Sequence, residues 1–118
     1  MKTTDSFTAE IFVGFREGYS NKIIHSMEEA QEICQTYCND IGLCVSIKPV
    51  FYVYTNGREP GCSITLINYP RFPTTAEKIK EIAIALAKIF LEEFNQLRIS
   101  IVFSDETIML EGQESTLL

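Results

Sequence analysis

LCVSIKPVFYVYTNGREPGCSITLINY, residues 43–69, is the stretch on which the reading of this chain turns. Two runs in which apolar and polar residues alternate, 43–54 and 62–69, flank a cluster of turn formers from Tyr54 to Gly61. Alternation of period two sends successive side chains to opposite faces of a strand, and Asn56-Gly57 is a favoured centre for a tight hairpin. The segment therefore predicts two antiparallel strands, with Pro60-Gly61 as a bulge. In the returning strand Ile64 and Leu66 share one face, and Ser63, Thr65 and Ile67 share the other. Pro49 has no amide to give to a ladder, which sends its strand to a sheet edge.

Outward from the hairpin the period changes on both sides. Upstream, Met27, Ala30, Ile33, Cys34, Tyr37, Cys38 and Ile41 form one helical stripe over 27–41. Ser26 and Glu29 make a capping box before it, and Gly42 supplies a left-handed stop behind it. Downstream, Pro70 and Pro73 break the chain, and Thr74 with Glu77 predicts a second capping box. A longer stripe follows over 75–97: Ile79, Ile82, Ala83, Leu86, Ile89, Phe90, Phe94 and Leu97. Ile84, Ala87 and Leu91 add a second apolar strip, so this helix is expected to be covered on more than one side. Outside the helices lie two more alternating runs, 7–16 (core face Phe7, Ala9, Ile11, Val13, Phe15) and 98–104.

The order β-α-β-β-α-β predicts an α+β, ferredoxin-like two-layer sandwich. Its antiparallel sheet has the order 4-1-3-2, which leaves the second strand outermost, where Pro49 requires it. Thr107 to Leu110 reads as an extra C-terminal strand. The whole of 1–118 is expected to be a single domain, with 1–6 and 112–118 frayed.

Sixteen acidic residues against ten basic ones give a net charge of −6. That charge repels phosphate backbones, so no nucleic acid and no anionic membrane is expected as a partner. The third strand also lacks the central aromatic pair and the basic-glycine-aromatic run with which RNA-recognition domains of this topology stack bases. Met1 to Phe7 holds no apolar stretch of signal-peptide length, and no run approaches a membrane span; the expected location is cytoplasmic. Cys34, Cys38, Cys44 and Cys62 have one histidine, His25, for company, too little for a zinc centre. They read as small apolar residues in a reducing compartment, and no metal or other cofactor is expected.

Two helices on one face of four strands leave the other face open, with Phe12, Val50, Tyr52, Tyr54, Ile67, Tyr69 and Val102 on it. Such a patch predicts self-association, a homodimer or larger assembly, through the sheet face, the long helix or the fifth strand; the alternative is that the fifth strand or the tail folds back over the face. One edge of the sandwich collects Arg16, Glu17, Tyr19, His25, Arg58 and Glu59 near a helix start. The free amides there and the two arginines suggest a small anionic ligand. At the opposite edge Tyr69 and Arg71 face Asp105 and Glu106. A single histidine assembles no Ser/His/Asp or Cys/His set, and there is no glycine-rich phosphate loop, so no catalytic residue is assigned. Glu10, in mid-strand on the open face, is either catalytic or paired across the sheet. The sequence reading is a self-associating interaction or regulatory ligand-binding module; its alternative is a small dimeric enzyme acting on an anionic small molecule.

Overall fold

Seven elements appear in the computed structural model, which describes residues 1–18 and 22–112. They are β1 (Thr8–Gly14), α1 (Met27–Ile41), β2 (Ser46–Tyr54), β3 (Gly57–Ile67), α2 (Ala76–Glu93), β4 (Arg98–Phe103) and β5 (Thr107–Glu111). All strands join one antiparallel sheet in the order β2-β3-β1-β4-β5, with the helices against one face. The order differs from the expected 4-1-3-2 by its fifth member: β5 pairs outside β4 and takes over the edge.

β5 thus widens the sheet and does not fold over the open face. Its alternation explains why. Ile108 and Leu110 point to the helix side and pack against the same core as Ile84 and Leu91 of α2. The second apolar strip of the long helix is therefore covered within the chain. Pro49 sits at the edge as expected, since β2 is outermost and Pro49 pairs only with Cys62 of β3.

The hairpin turn is one residue earlier than its sequence suggests. Tyr54 pairs with Gly57, so Thr55 and Asn56 make the connection and Asn56 takes the left-handed conformation at φ 59°. Asparagine tolerates that region because its short side chain bonds locally. The expected bulge is also absent: Pro60 and Gly61 stay in register opposite Phe51 and Val50.

α1 begins where its capping box put it. Ser26 Oγ accepts the Glu29 amide at 3.3 Å, and the amide of Gly42, at φ 68°, donates to Cys38 O at 2.8 Å. α2 is capped by Thr75 rather than Thr74, its hydroxyl accepting the Lys78 amide at 3.1 Å. Thr74 is occupied elsewhere. Its amide donates to Asn68 Oδ1 at 2.9 Å and its carbonyl accepts from Asn68 Nδ2 at 3.2 Å.

The core lies between sheet and helices: Ala9, Ile11, Val13, Ile64, Ile99 and Ile101 from the strands, with Ala83, Leu86, Ala87 and Phe90 from α2. Cys34 and Cys62 belong to it, and burial pushes both thiols up to about 12, which keeps them protonated and unreactive. Cys38 is only half-buried and Cys44 is exposed, so the apolar-filler reading holds for two of the four. Among the described residues, no helix is long and apolar enough to cross a membrane.

Candidate ligand groove on the open sheet face

Strand register decides what the open face presents. Glu10, Phe12 and Gly14 of β1 lie beside Thr65, Ser63 and Gly61 of β3 on one side, and beside Val102 and Ser100 of β4 on the other. Gly14 and Gly61 are direct partners, which leaves a floor without side chains. Neighbouring side chains lie down on it. A Cβ at Gly14 would stand 2.6 Å from Glu59 Oε2, and one at Gly61 would stand 2.5 Å from the Tyr52 ring and closer still to Val13 O. Glycine is required here for close approach rather than for an unusual φ.

Around this floor is a groove of about 470 Å3, lined by Phe12, Tyr52, Tyr54, Glu59, Arg98 and Ser100, with Gln96 at its end. Tyr52 donates to Cys62 O at 2.6 Å, and its ring meets Phe12 edge-on at 6.2 Å between centroids. Burial pushes the Tyr52 phenol above its ordinary range, so it stays a donor. Tyr52→Phe removes that bond; it is expected to cost about 1 kcal/mol in urea unfolding. A loss under a few tenths would mean that Tyr52 is placed by packing alone.

Glu59 is held from two sides. The Arg16 amide donates to its Oε2 at 2.9 Å, and Tyr54 Oη donates to its Oε1 at 3.4 Å. Arg16 braces the same wall: Nη1 donates to Tyr54 Oη and Nη2 to Arg58 O, both at 2.9 Å. Its Nε is buried with no partner among the described residues. Gln96 Nε2 fixes the Arg16 carbonyl at 2.6 Å. Two of the guanidinium's nitrogens are thus spent on the rim.

The edge cluster read from sequence separates into parts. Arg16 and Glu59 come together at the groove. Arg58 pairs with Val53, so its exposed side chain lies on the other face of the hairpin. His25 and Glu17 lie over the start of α1. The His25 ring stacks on Phe94 at 4.0 Å, its Nδ1 is 3.1 Å from Glu29 Oε2, and its Nε2 is 3.3 Å from Glu17 Oε2. Two carboxylates at that helix start oppose the arrival of an anion. Tyr19 lies outside the described residues.

At the opposite edge Lys80 binds Glu106 Oε2 at 2.6 Å and Asp105 Oδ2 at 3.0 Å, contacts that hold its ammonium above the usual lysine range. Glu10 is paired across the sheet, accepting from Ser63 Oγ at 2.9 Å with Lys48 Nζ at 3.7 Å. Sequence reasoning missed Gln96, Arg98 and Ser100. The last two were findable, because they alternate with the buried Ile99 and Ile101 and so must share the open face.

Two solved structures show the same architecture throughout. One is a phage SAM lyase in its apo state, 19% identical over 91% of this chain and 90% of that one, with a TM-score of 0.73. The other is a phage SAM lyase in complex with S-methyl-5'-thioadenosine, 16% identical over 96% and 95%, with a TM-score of 0.75. The chain has the fold of a phage SAM lyase. At these identities the lyase likeness is one of fold, shared from end to end. No protein-family model and no curated protein matches the sequence.

Proposed function

We propose that the chain is a small enzyme that binds SAM in the open-face groove and cleaves it to S-methyl-5'-thioadenosine. The observation that carries this reading is the Glu59 carboxylate laid on Gly14 between aromatic side chains. SAM is a sulfonium cation joined to a flat aromatic base. A carboxylate and ring faces attract the cation, and Phe12 and Tyr52 offer surfaces for stacking. Arg98, on the β4 wall, is the counter-charge for the carboxylate of the amino-acid arm. A groove of about 470 Å3 falls within the usual range of small-molecule sites. The net charge of −6 favours a cationic ligand over an anionic one.

Cleavage of the bond between sulfur and the amino-acid arm leaves its electron pair on sulfur. The arm's own carboxylate oxygen forms the bond that replaces it at that carbon, so the products are a neutral thioether and an amino-acid lactone that keeps the ammonium charge, with no proton released. Glu59 attracts the charged substrate and has no charge to hold in the thioether, which favours release. Two earlier expectations give way here. Arg16 is committed to the rim, which weakens an anionic ligand, and a built groove supports the small-enzyme alternative over an interaction module. Of the edge cluster read from sequence, Arg16 and Glu59 are retained as ligand-site residues.

The test is incubation of the purified protein with SAM, followed by chromatography for the thioether. S-methyl-5'-thioadenosine is expected to accumulate as SAM disappears. SAM binding by calorimetry without turnover overturns the catalytic claim, and absence of both overturns the ligand as well.

A further inference from the structure

Core packing accounts for Cys34 and Cys62 but leaves two thiols without a role, and the fold brings these two together. Cys38 is half-buried on the last turn of α1, and Cys44 is exposed just before β2. Both line one cleft of about 520 Å3 between α1 and β2, with Leu43, Val45 and Ile47. Gly42, at φ 68°, turns the chain back at the helix end, so the residues after it run past Cys38. The Gly42 amide donates to Cys38 O at 2.8 Å, and the Val45 amide donates to Cys38 Sγ.

That second bond sets the spacing. The Val45 nitrogen is joined to the carbonyl carbon of Cys44, so Cys38 Sγ lies roughly 6 Å from the Cys44 Cα. In a disulfide the same distance is about 4 Å. Rotation of Cys44 about χ1 and a shift of about 2 Å close the gap. The ladder with β3 begins only at Ser46, so Cys44 lies outside the strand pairing and strand alternation does not fix its side chain. Its Sγ accepts from Tyr69 Oη at 3.4 Å. That bond, and then burial, hold the Tyr69 phenol up at about 12, so it stays a donor to the sulfur. Burial pushes the Cys38 thiol up, and the Val45 amide works against the rise. The pair thus consists of an open thiol and a sheltered one.

We infer that Cys38 and Cys44 form an oxidation site that closes to a disulfide, with a peroxide as the oxidant. The Cys44 sulfur attacks one peroxide oxygen, the O–O bond breaks, and the thiol proton leaves with the other oxygen as water. The Cys38 sulfur then attacks the Cys44 sulfur of the resulting sulfenic acid. The S–O bond breaks, and the hydroxyl leaves with the Cys38 proton as a second water. Two thiols lose two electrons, and the peroxide gains them. Cys34 and Cys62 do not compete, since burial holds both protonated. The bond ties the last turn of α1 to the entry of β2, the strand that carries Tyr52 and Tyr54 of the groove. In a reducing compartment such a bond is transient and reports the local oxidant level. The inference is independent of the SAM reading, since no step of it uses the groove.

The test treats the full chain, dilute and folded by circular dichroism, with a small excess of hydrogen peroxide. Alkylation in guanidinium and intact mass then count the thiols that remain. Wild type is expected to lose the mass of two hydrogens and to fall from four alkylatable cysteines to two. Cys34→Ala is expected to close the same bond. Cys38→Ser is expected to stop at a sulfenic acid on Cys44, trapped as its dimedone adduct, and Cys44→Ser to form no bond. Four free thiols in treated wild type would overturn the inference, as would dimedone-trapped Cys44 accumulating there because Cys38 is out of reach. A disulfide that survives in Cys38→Ser or Cys44→Ser, or one that joins two chains, would overturn it equally.

Discussion

Phe94→Ala is expected to lower unfolding free energy by roughly 3–5 kcal/mol, among the larger costs of a single core truncation. Phe94 is 1% exposed at the C-terminal end of α2, and three rings rest on it. Phe90 meets it edge-on at 5.2 Å, Phe15 does so at 6.1 Å, and His25 stacks on its face at 4.0 Å. Truncation empties the point where β1, the start of α1 and α2 converge, and rigid strands on one side prevent collapse into the space. The His25 ring also loses the surface that holds it between Glu17 and Glu29. Phe94→Leu keeps most of the volume and is expected to lose less than half as much. Guanidinium unfolding of the three proteins measures this directly; a loss below about 1 kcal/mol for alanine would refute the packing account.

On the proposed activity, Glu59→Gln is expected to lower kcat/KM for SAM cleavage by roughly 100-fold or more, the scale for losing a fixed charge in a groove partly shielded from water. The amide keeps an oxygen to accept the Arg16 N–H, so the fold is expected to survive unchanged. Gly14→Ala tests the same carboxylate by displacement. The new methyl meets Glu59 Oε2, the end of a flexible side chain, which swings away and gives up its bond from the Arg16 amide, at about 1 kcal/mol. Gly61→Ala behaves differently, since its methyl meets the backbone at Val13 O and cannot be relieved by a rotamer change. It is expected to destabilise by about 1–3 kcal/mol. Activity lost in Gly14→Ala with stability lowered by no more than about 1 kcal/mol would place the defect in the groove. Full activity in both Glu59→Gln and Gly14→Ala would remove Glu59 from the proposed mechanism.

Both variants turn on contacts between strands, and here sequence and structure divide. The alternation in β1 to β4, the stripes of α1 and α2, Ser26 and Gly42 at the ends of α1, and Pro49 at a sheet edge are all legible in the chain. Each is a local property, set by side-chain period or by the capacity of one residue to give or accept a bond. The shift from Thr74 to Thr75 as helix cap was not legible, because Asn68, across a proline-rich turn, competes for Thr74. The hairpin turn moved for a similar reason: the register that pairs Ile64 with Ile47 and with Ile11 is set by the core and leaves Thr55-Asn56 as the connection.

The amino-acid order by itself determined the succession of elements, the faces they present and the aromatic character of the open side, since period and composition need no partner to be read. Tertiary structure alone decided that Glu59 lies on Gly14, that Arg16 becomes a brace instead of an anion receptor, that Arg58 leaves the cluster for the other face, and that β5 covers α2. Those outcomes depend on which residues stand opposite one another across strands, and a register shift of a single residue would send every one of these side chains to the other face.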